Sequence, residues 1–156
     1  MYNHAPKKYK CPLCILVKRQ DTGVTNADDI IYQDKLITAF IAGKWWLTNP
    51  GHAIIIPNKH IENLYDIDKK YLNAIHNFSK KVAVAFKKVY KSDGTSIRQH
   101  NEPAGNQDVF HFHLHVFPRY KDDKLYQNHE KTKWATNKER KPYVEKLKKY
   151  FSKTNK

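Results

Sequence analysis

The stretch that decides the fold is VFHFHLHVFPRY, residues 109–120, in which histidines alternate strictly with apolar residues. A period of two predicts a strand over residues 109–117, because successive side chains of a strand point to opposite faces. His111, His113 and His115 then share one face, and the residues between them face a core. This row of histidines could be a metal site, a catalytic site, or a strand face that is only polar.

The spacing of the three histidines limits what they can do together. On a straight strand, successive histidines lie roughly 6–7 Å apart at Cα and the outer two roughly 13 Å apart. Two neighbours can share a metal ion, but all three cannot reach one ion without distortion. At least one histidine must therefore have a task different from that of its neighbours.

The polar loop HNEPAGNQD, residues 100–108, precedes this strand and suits a phosphate group. Gly105 permits unusual backbone torsions, and the asparagine and glutamine side chains supply hydrogen-bond donors. A neutral imidazole can attack phosphorus itself when an acceptor holds its other ring nitrogen. The sequence thus supports covalent catalysis on a phosphate without a metal.

The rest of the chain predicts an α+β fold, an antiparallel sheet packed against one long helix, with a second helix at the C-terminus. The long helix has an apolar face with three- and four-residue steps. A length of 156 residues fits one domain, residues 1–156. The expected strands are 30–32, 36–41, 52–57 and 95–100. The expected helices are about 68–91 and a basic helix at about 137–151, and GKWWLTNPG (43–51) is expected to be a loop.

Composition narrows the class of partner. The chain has 29 Lys and Arg against 15 Asp and Glu, a formal charge of +14, which attracts phosphates, nucleotides and nucleic acid alike. A lysine-rich solvated surface explains this charge without dedicated nucleic-acid binding, which is not favoured. No apolar run is long enough for a membrane span, and the N-terminus does not resemble a signal peptide, so we expect a cytoplasmic protein.

The two cysteines, Cys11 and Cys14, form a C-x-x-C pair. Such a pair can be a redox motif, half of a metal site, or chance. A thioredoxin-like motif would require a strand before the pair, and no strand is predicted there. Half of a zinc site is the favoured interpretation, provided that two further ligands exist elsewhere in the chain.

The motif HFHLHVF (111–117) resembles the signature of the histidine triad, or HIT, nucleotide-binding proteins, in which histidines alternate with apolar residues. The similarity extends to NPGHAIIIPNKHIENLYDI (49–67), NEPAGNQDVFH (101–111) and ERKPYVEKLKKYF (139–151), the last typical of the zinc-containing bacterial branch. The resemblance spans Cys11 to about Phe151. It implies a HIT-like fold and a homodimer.

The resemblance also implies roles for individual residues. His113 would be the nucleophile that forms a covalent nucleotidyl-histidine intermediate, and His115 would contact the α-phosphate and the leaving-group side. A structural zinc ion would be held by Cys11, Cys14, His60 and His111, a closed tetrahedral set. The residues implied in substrate binding are Asn101, Gln107, Asp108, which stands where some members have serine, and His52, which can steady the triad.

The sequence departs from the family after the strand that ends at Ile41. Ala42 stands where many relatives carry an acidic residue that grips the ribose hydroxyls. Trp45 and Trp46 follow, and they either stack on a base or pack in a core or interface. No role is expected for the remaining histidines, His4, His76, His100 and His129.

The expected function is hydrolysis or transfer at the α-phosphate of a purine nucleotide or nucleotide conjugate. Nucleoside phosphoramidates and dinucleoside polyphosphates are the candidate substrates. One alternative is a metallohydrolase that uses His111 and His113 as catalytic zinc ligands, which predicts loss of activity on chelation. The other is a non-catalytic basic nucleotide- or nucleic-acid-binding module, which predicts that His113→Ala leaves nucleotide binding unchanged.

Overall fold

The computed structural model describes residues 2–128 and 131–154, so the histidine at position 129 lies outside the described residues. Its centre is an antiparallel sheet of five strands in the order β1-β2-β4-β6-β5. A two-stranded antiparallel ribbon, β3 with β7, stands apart from it. The elements are α1 (Pro12–Val17), β1 (Ile30–Gln33), β2 (Ile37–Ile41), β3 (Lys44–Trp46), β4 (Ala53–Pro57), α2 (Lys69–Ala85), β5 (Gly94–Gln99), β6 (Leu114–Arg119), β7 (Thr132–Trp134) and α3 (Asn137–Thr154).

The long helix α2 covers one face of the sheet. Its buried positions recur at three- and four-residue steps, as in Tyr71, Ile75, Phe78 and Val82, and they pack in one core with residues of β2, β4, β6 and α3. The opposite face carries a smaller cluster that seats α1, with Leu16 against Phe40 and Ile56 among others. The predicted α+β class, with a long helix on an antiparallel sheet and a C-terminal helix, is confirmed.

The histidine strand is shorter than its alternation predicts, and this part of the prediction is wrong. β6 begins at Leu114 instead of residue 109, because its pairing with β4 starts at Ile55 opposite Leu114. Pro57 has no backbone N–H to continue the ladder, and its carbonyl oxygen lies 3.0 Å from Nε2 of His111. The amide of Phe112 instead donates to the carbonyl of Ile61 at 2.6 Å. Residues 109–113 therefore leave the strand.

The segment expected to be a loop after β2 contains β3. Trp45 is buried, donates from Nε1 to the carbonyl of Ala42 at 2.7 Å and packs edge-on against Tyr143. Gly51 turns the chain back towards the sheet with φ of +72°, and a Cβ there would lie 2.2 Å from the Tyr143 ring. Only glycine suits that position. Within the residues described, no helix combines the length and apolarity that crossing a membrane requires.

Candidate active site and metal-binding cluster

Four side chains from distant parts of the sequence form a cluster that could hold a metal ion. The ligand atoms of Cys11, Cys14, His60 and His111 all lie within 4.8 Å of one another. Nδ1 of His111 is 3.4 Å from Sγ of Cys11 and 3.5 Å from Sγ of Cys14. Nδ1 of His60 is 3.3 Å from Sγ of Cys14. The four residues that the sequence suggested as metal ligands are thus brought together.

His111 is prepared to act as a ligand through Nδ1. Its Nε2 lies 3.0 Å from the carbonyl oxygen of Pro57, which can only accept, so Nε2 carries the proton and Nδ1 is left with its lone pair. Burial lowers the pKa of His111 to about 4, which keeps the ring neutral. Burial and the neighbouring Cys11 raise the pKa of Cys14 to about 12. Neither cysteine is in a disulfide.

His113 presents a neutral ring nitrogen to a cavity. Its Nδ1 donates to the carbonyl oxygen of His111 at 2.7 Å, so the lone pair is on Nε2. The side chain is 4 % exposed and lines the cavity, and burial lowers its pKa. The negative charge of Asp108 opposes that shift. A buried neutral imidazole with a fixed tautomer is the form in which histidine acts as a nucleophile.

His115 lies beside His113, with ring centroids 5.0 Å apart, and its Nδ1 is 3.3 Å from Nε2 of His52. His52 is fully buried and stacks on Phe117. Its pKa is lowered to about 3 by burial and by the positive charge of Arg98. Nδ1 of His52 has no hydrogen-bond partner among the described residues.

The unpartnered Nδ1 of His52 indicates where the protons of His52 and His115 lie. Buried N–H groups without an acceptor are rarer than acceptors without a donor, which favours the proton of His52 on Nε2. His52 then donates to Nδ1 of His115, and His115 carries its own proton on Nε2. The cavity thus receives a lone pair from His113 and an N–H donor from His115.

The cavity has a volume of about 590 Å³, a size suited to a small-molecule ligand. His52, His113, His115 and Asp108, all named from the sequence, line it. His100 also lines the cavity, although no role is expected for it from the sequence. Its ring is 6.4 Å from that of His115, and its Nδ1 is 2.6 Å from the carbonyl oxygen of Gly105. No local pattern distinguishes His100, because β5 and the loop that follows it bring it to the cavity.

Gln107 and Asn101 are engaged within the loop that precedes β6. The amide of Gln107 donates to the carbonyl of Glu62 at 2.6 Å and accepts from the backbone N–H of Glu102 at 2.8 Å. Oδ1 of Asn101 accepts from the backbone N–H of Leu64 at 2.7 Å. These bonds hold a loop with two left-handed residues, at positions 102 and 106, and bring Asn106 and Asp108 to the cavity wall.

The chain is similar to known proteins in sequence and in fold. The family profile of the HIT domain matches residues 24–122. An uncharacterized HIT-like protein of Saccharolobus solfataricus is 31% identical over 113 residues, which is 72% of this chain and 76% of that protein. The asymmetrical bis(5'-nucleosyl)-tetraphosphatase of Schizosaccharomyces pombe is 31% identical over 94 residues, 60% of this chain and 50% of that enzyme.

Among solved structures, a zinc-bound histidine triad family protein from Mycobacterium smegmatis has the same fold. Its TM-score is 0.74 at 24% identity, over 94% of this chain and 96% of that one. The fold, the row of histidines and the domain match lead to one conclusion: the chain belongs to the HIT family.

Proposed function

We propose that the protein catalyses hydrolysis or transfer at the α-phosphorus of a nucleotide through a covalent intermediate on His113. The observation that carries this proposal is the hydrogen bond from Nδ1 of His113 to the carbonyl oxygen of His111, which leaves the Nε2 lone pair at the cavity. Nε2 attacks phosphorus, and the bond from phosphorus to the leaving group breaks with its electron pair on the leaving group. Water or another acceptor then attacks phosphorus, and the P–N bond returns its electrons to Nε2.

Two neighbours support this step. The Nε2–H of His115, 5.0 Å away between ring centroids, can donate to a phosphate oxygen as negative charge builds up there. The ring of His113 becomes positive when it is phosphorylated, and its bond to the His111 carbonyl strengthens with that charge. The carboxylate of Asp108, whose field already favours the charged ring, stabilises the same state. The negative charge of Asp108 also opposes the approach of a phosphate, so the net effect of Asp108 on the rate is smaller than its stabilisation of the charged ring alone would give.

The substrate classes we propose are nucleoside phosphoramidates and dinucleoside polyphosphates with a purine base. The S. pombe relative, by its name, acts on a bis-nucleosyl tetraphosphate. The cavity also has an apolar part, built by Leu13, Val24, Phe40 and Ile54, that suits a nucleoside. With alanine at position 42, the ribose has no carboxylate there to bind its hydroxyls.

We further propose that Cys11, Cys14, His60 and His111 hold a structural zinc ion, as in the zinc-containing branch of the family. A tetrahedral zinc ion separates a sulfur ligand from a nitrogen ligand by roughly 3.5 Å. Three sulfur–nitrogen pairs in this cluster match that value, at 3.3, 3.4 and 3.5 Å. The four donors would fill the coordination shell. The ion would anchor His111, whose carbonyl oxygen fixes the tautomer of the nucleophile.

A second copy of this chain is the partner we propose. β5 is the last strand of the sheet and pairs only with β6 among the described strands, so its outer edge is free to pair. Ile97 on this strand is 47% exposed. Light scattering coupled to gel filtration should give the mass of a dimer, and a monomer mass at micromolar concentration would contradict this.

The function is tested by incubating the protein with adenosine phosphoramidate and with diadenosine tetraphosphate. Wild type should turn over at least one of them, and samples quenched in denaturant at alkaline pH, where the P–N bond survives, should show an adenylyl group on His113 by mass spectrometry. His113→Gly should lose both turnover and adduct. His76→Gln, a histidine exposed on α2, is the matched control and should behave as wild type. Equal turnover by wild type and His113→Gly would refute the nucleophile, and binding without turnover by wild type would favour the non-catalytic module.

A further inference from the structure

Four paired residues form a row across the cavity floor, one from each of four neighbouring strands. Arg98 on β5 is paired with His115 on β6, His115 with Ile54 on β4, and Ile54 with Phe40 on β2. Residues directly paired in a sheet point to the same face, and neighbouring strands are about 4.8 Å apart. The row therefore spans about 14 Å, and all four side chains line the same cavity.

The polarity of the row changes in one direction. At one end, Ile54 and Phe40 make an apolar floor, with Leu13 and Val24 lining the same cavity. His115 lies in the middle, next to the nucleophile. Arg98 lies at the other end, on the edge strand. A nucleotide with its α-phosphorus at the histidines and its nucleoside on the apolar floor would direct its leaving group towards Arg98.

Arg98 has no counter-ion among the described residues of the chain. No carboxylate in the described part of the chain is within ion-pair distance of it, and Nη1 is buried without a hydrogen-bond partner there. The guanidinium is packed among aromatic rings, 5.5 Å from the centroid of Trp46 and 5.8 Å from those of Phe117 and Tyr126. These rings hold the cation in place, but they do not accept hydrogen bonds from the N–H groups that lie in the plane of the guanidinium.

Two other arginines show what a purely structural role looks like in this protein. Arg119, which lies over the same Tyr126 ring, makes a two-pronged ion pair with Asp123, with bonds of 2.7 and 2.8 Å. The buried Arg140 makes a similar pair with Asp29. A partly buried guanidinium without such a partner is unfavourable unless a ligand provides the anion. Of these three arginines, Arg98 alone lines the cavity.

We infer that Arg98 is the residue that selects the leaving group, and that it binds a phosphate carried by that group. This inference rests on the proposed function and narrows it, because it favours nucleoside polyphosphates over phosphoramidates whose leaving group is an uncharged amine. When Nε2 of His113 attacks, the bond from the α-phosphorus to the bridging oxygen breaks. That oxygen leaves with the electron pair as a terminal oxygen of the departing phosphate, and Arg98 neutralises the added charge.

The test compares two substrates on three variants. Attack at the α-phosphorus of diadenosine tetraphosphate releases ATP, whereas adenosine phosphoramidate releases ammonia. Arg98→Met, which keeps a long side chain over Trp46, should lower kcat/KM for the tetraphosphate by about 10- to 100-fold, the range expected for a lost charge-assisted hydrogen bond. The phosphoramidate should change less than about threefold. Arg98→Lys should recover part of the loss, and Arg19→Met, the loss of an exposed cation, should change neither substrate.

An equal loss on both substrates would mean that Arg98 has only a structural role and would overturn the inference, as would no loss on either. Calorimetric binding of ATP and AMP gives a readout that does not depend on turnover. Wild type should prefer ATP, and Arg98→Met should lose that preference. If wild type hydrolyses neither substrate but prefers ATP, and Arg98→Met loses that preference, the proposed function fails while the anion site at Arg98 stands. Equal affinity of wild type for ATP and AMP would remove the anion site.

Discussion

Replacing Asp29 with Asn should destabilise the protein by about 3–5 kcal/mol, because the change leaves the positive charge of Arg140 buried without its counter-ion. Asp29 is 3% exposed and Arg140 1%. Their two bonds, Nε to Oδ1 at 2.6 Å and Nη2 to Oδ2 at 2.9 Å, tie α3 to the segment just before β1. Asparagine keeps the shape of the side chain, so the loss reports on charge and hydrogen bonding.

Urea unfolding followed by circular dichroism, with zinc present throughout, measures this loss. With a slope of about 2 kcal/mol per molar urea, a change of that size lowers the midpoint by about 1.5–2.5 M. Small domains have a free energy of unfolding of about 5–15 kcal/mol. At the high end of this range the variant stays folded in water, and at the low end it is nearly unfolded without urea, so the midpoint is informative in either case.

The control for this experiment lies in the same helix. Glu145 and Lys141 form an exposed i,i+4 pair at 3.8 Å, and Glu145→Gln should cost less than about 0.5 kcal/mol. The double variant Asp29→Asn with Arg140→Met should recover part of the loss, because it removes the stranded cation. If Asp29→Asn costs no more than Glu145→Gln, the buried pair does not anchor α3 and the reasoning is refuted.

Three further predictions concern stability. Gly51→Ala should destabilise the fold by more than 2 kcal/mol, since its Cβ would lie 2.2 Å from Tyr143 in a backbone that already has positive φ, and a melting curve that matches wild type would contradict this. The pKa of His52 is about 3 in the folded protein and near 6.5 in the unfolded chain, so between these pH values only the unfolded chain takes up the proton. The free energy of unfolding should therefore fall as the pH drops below about 6.5, by up to ~1.4 kcal/mol per pH unit. His52→Phe should flatten that slope relative to wild type, and identical slopes would count against the prediction. Removal of the proposed zinc ion by a chelator should lower the melting temperature of wild type but leave that of Cys11→Ser, which lacks one proposed ligand, nearly unchanged. An equal shift in both proteins would argue that the chelator acts elsewhere.

Much of the fold follows from local pattern. The period of α2 and the alternation before β6 reflect the geometry of single elements, and a sequence shows such periods directly. The alternation does not show where β6 begins. That depends on Pro57 in the neighbouring strand, which cannot donate to the ladder, and on the carbonyl oxygen it offers to His111. The sequence does not show β3 for a similar reason, because the strand that it pairs with among the described residues, β7, lies about 90 residues later.

The sequence alone indicated the HIT family and the set of histidines and cysteines to which we assign the chemistry, because these depend on residue type and spacing. The tertiary structure decided which atoms of those residues meet. Cys11 and His111 are 100 positions apart yet lie 3.4 Å from each other. The opposed tautomers of His113 and His115 depend on the carbonyl oxygen of His111 and on His52, 63 positions from His115. The role proposed for Arg98 likewise depends on strand pairing. Hydrogen bonds between strands bring together residues that are far apart in the sequence and that no local period connects.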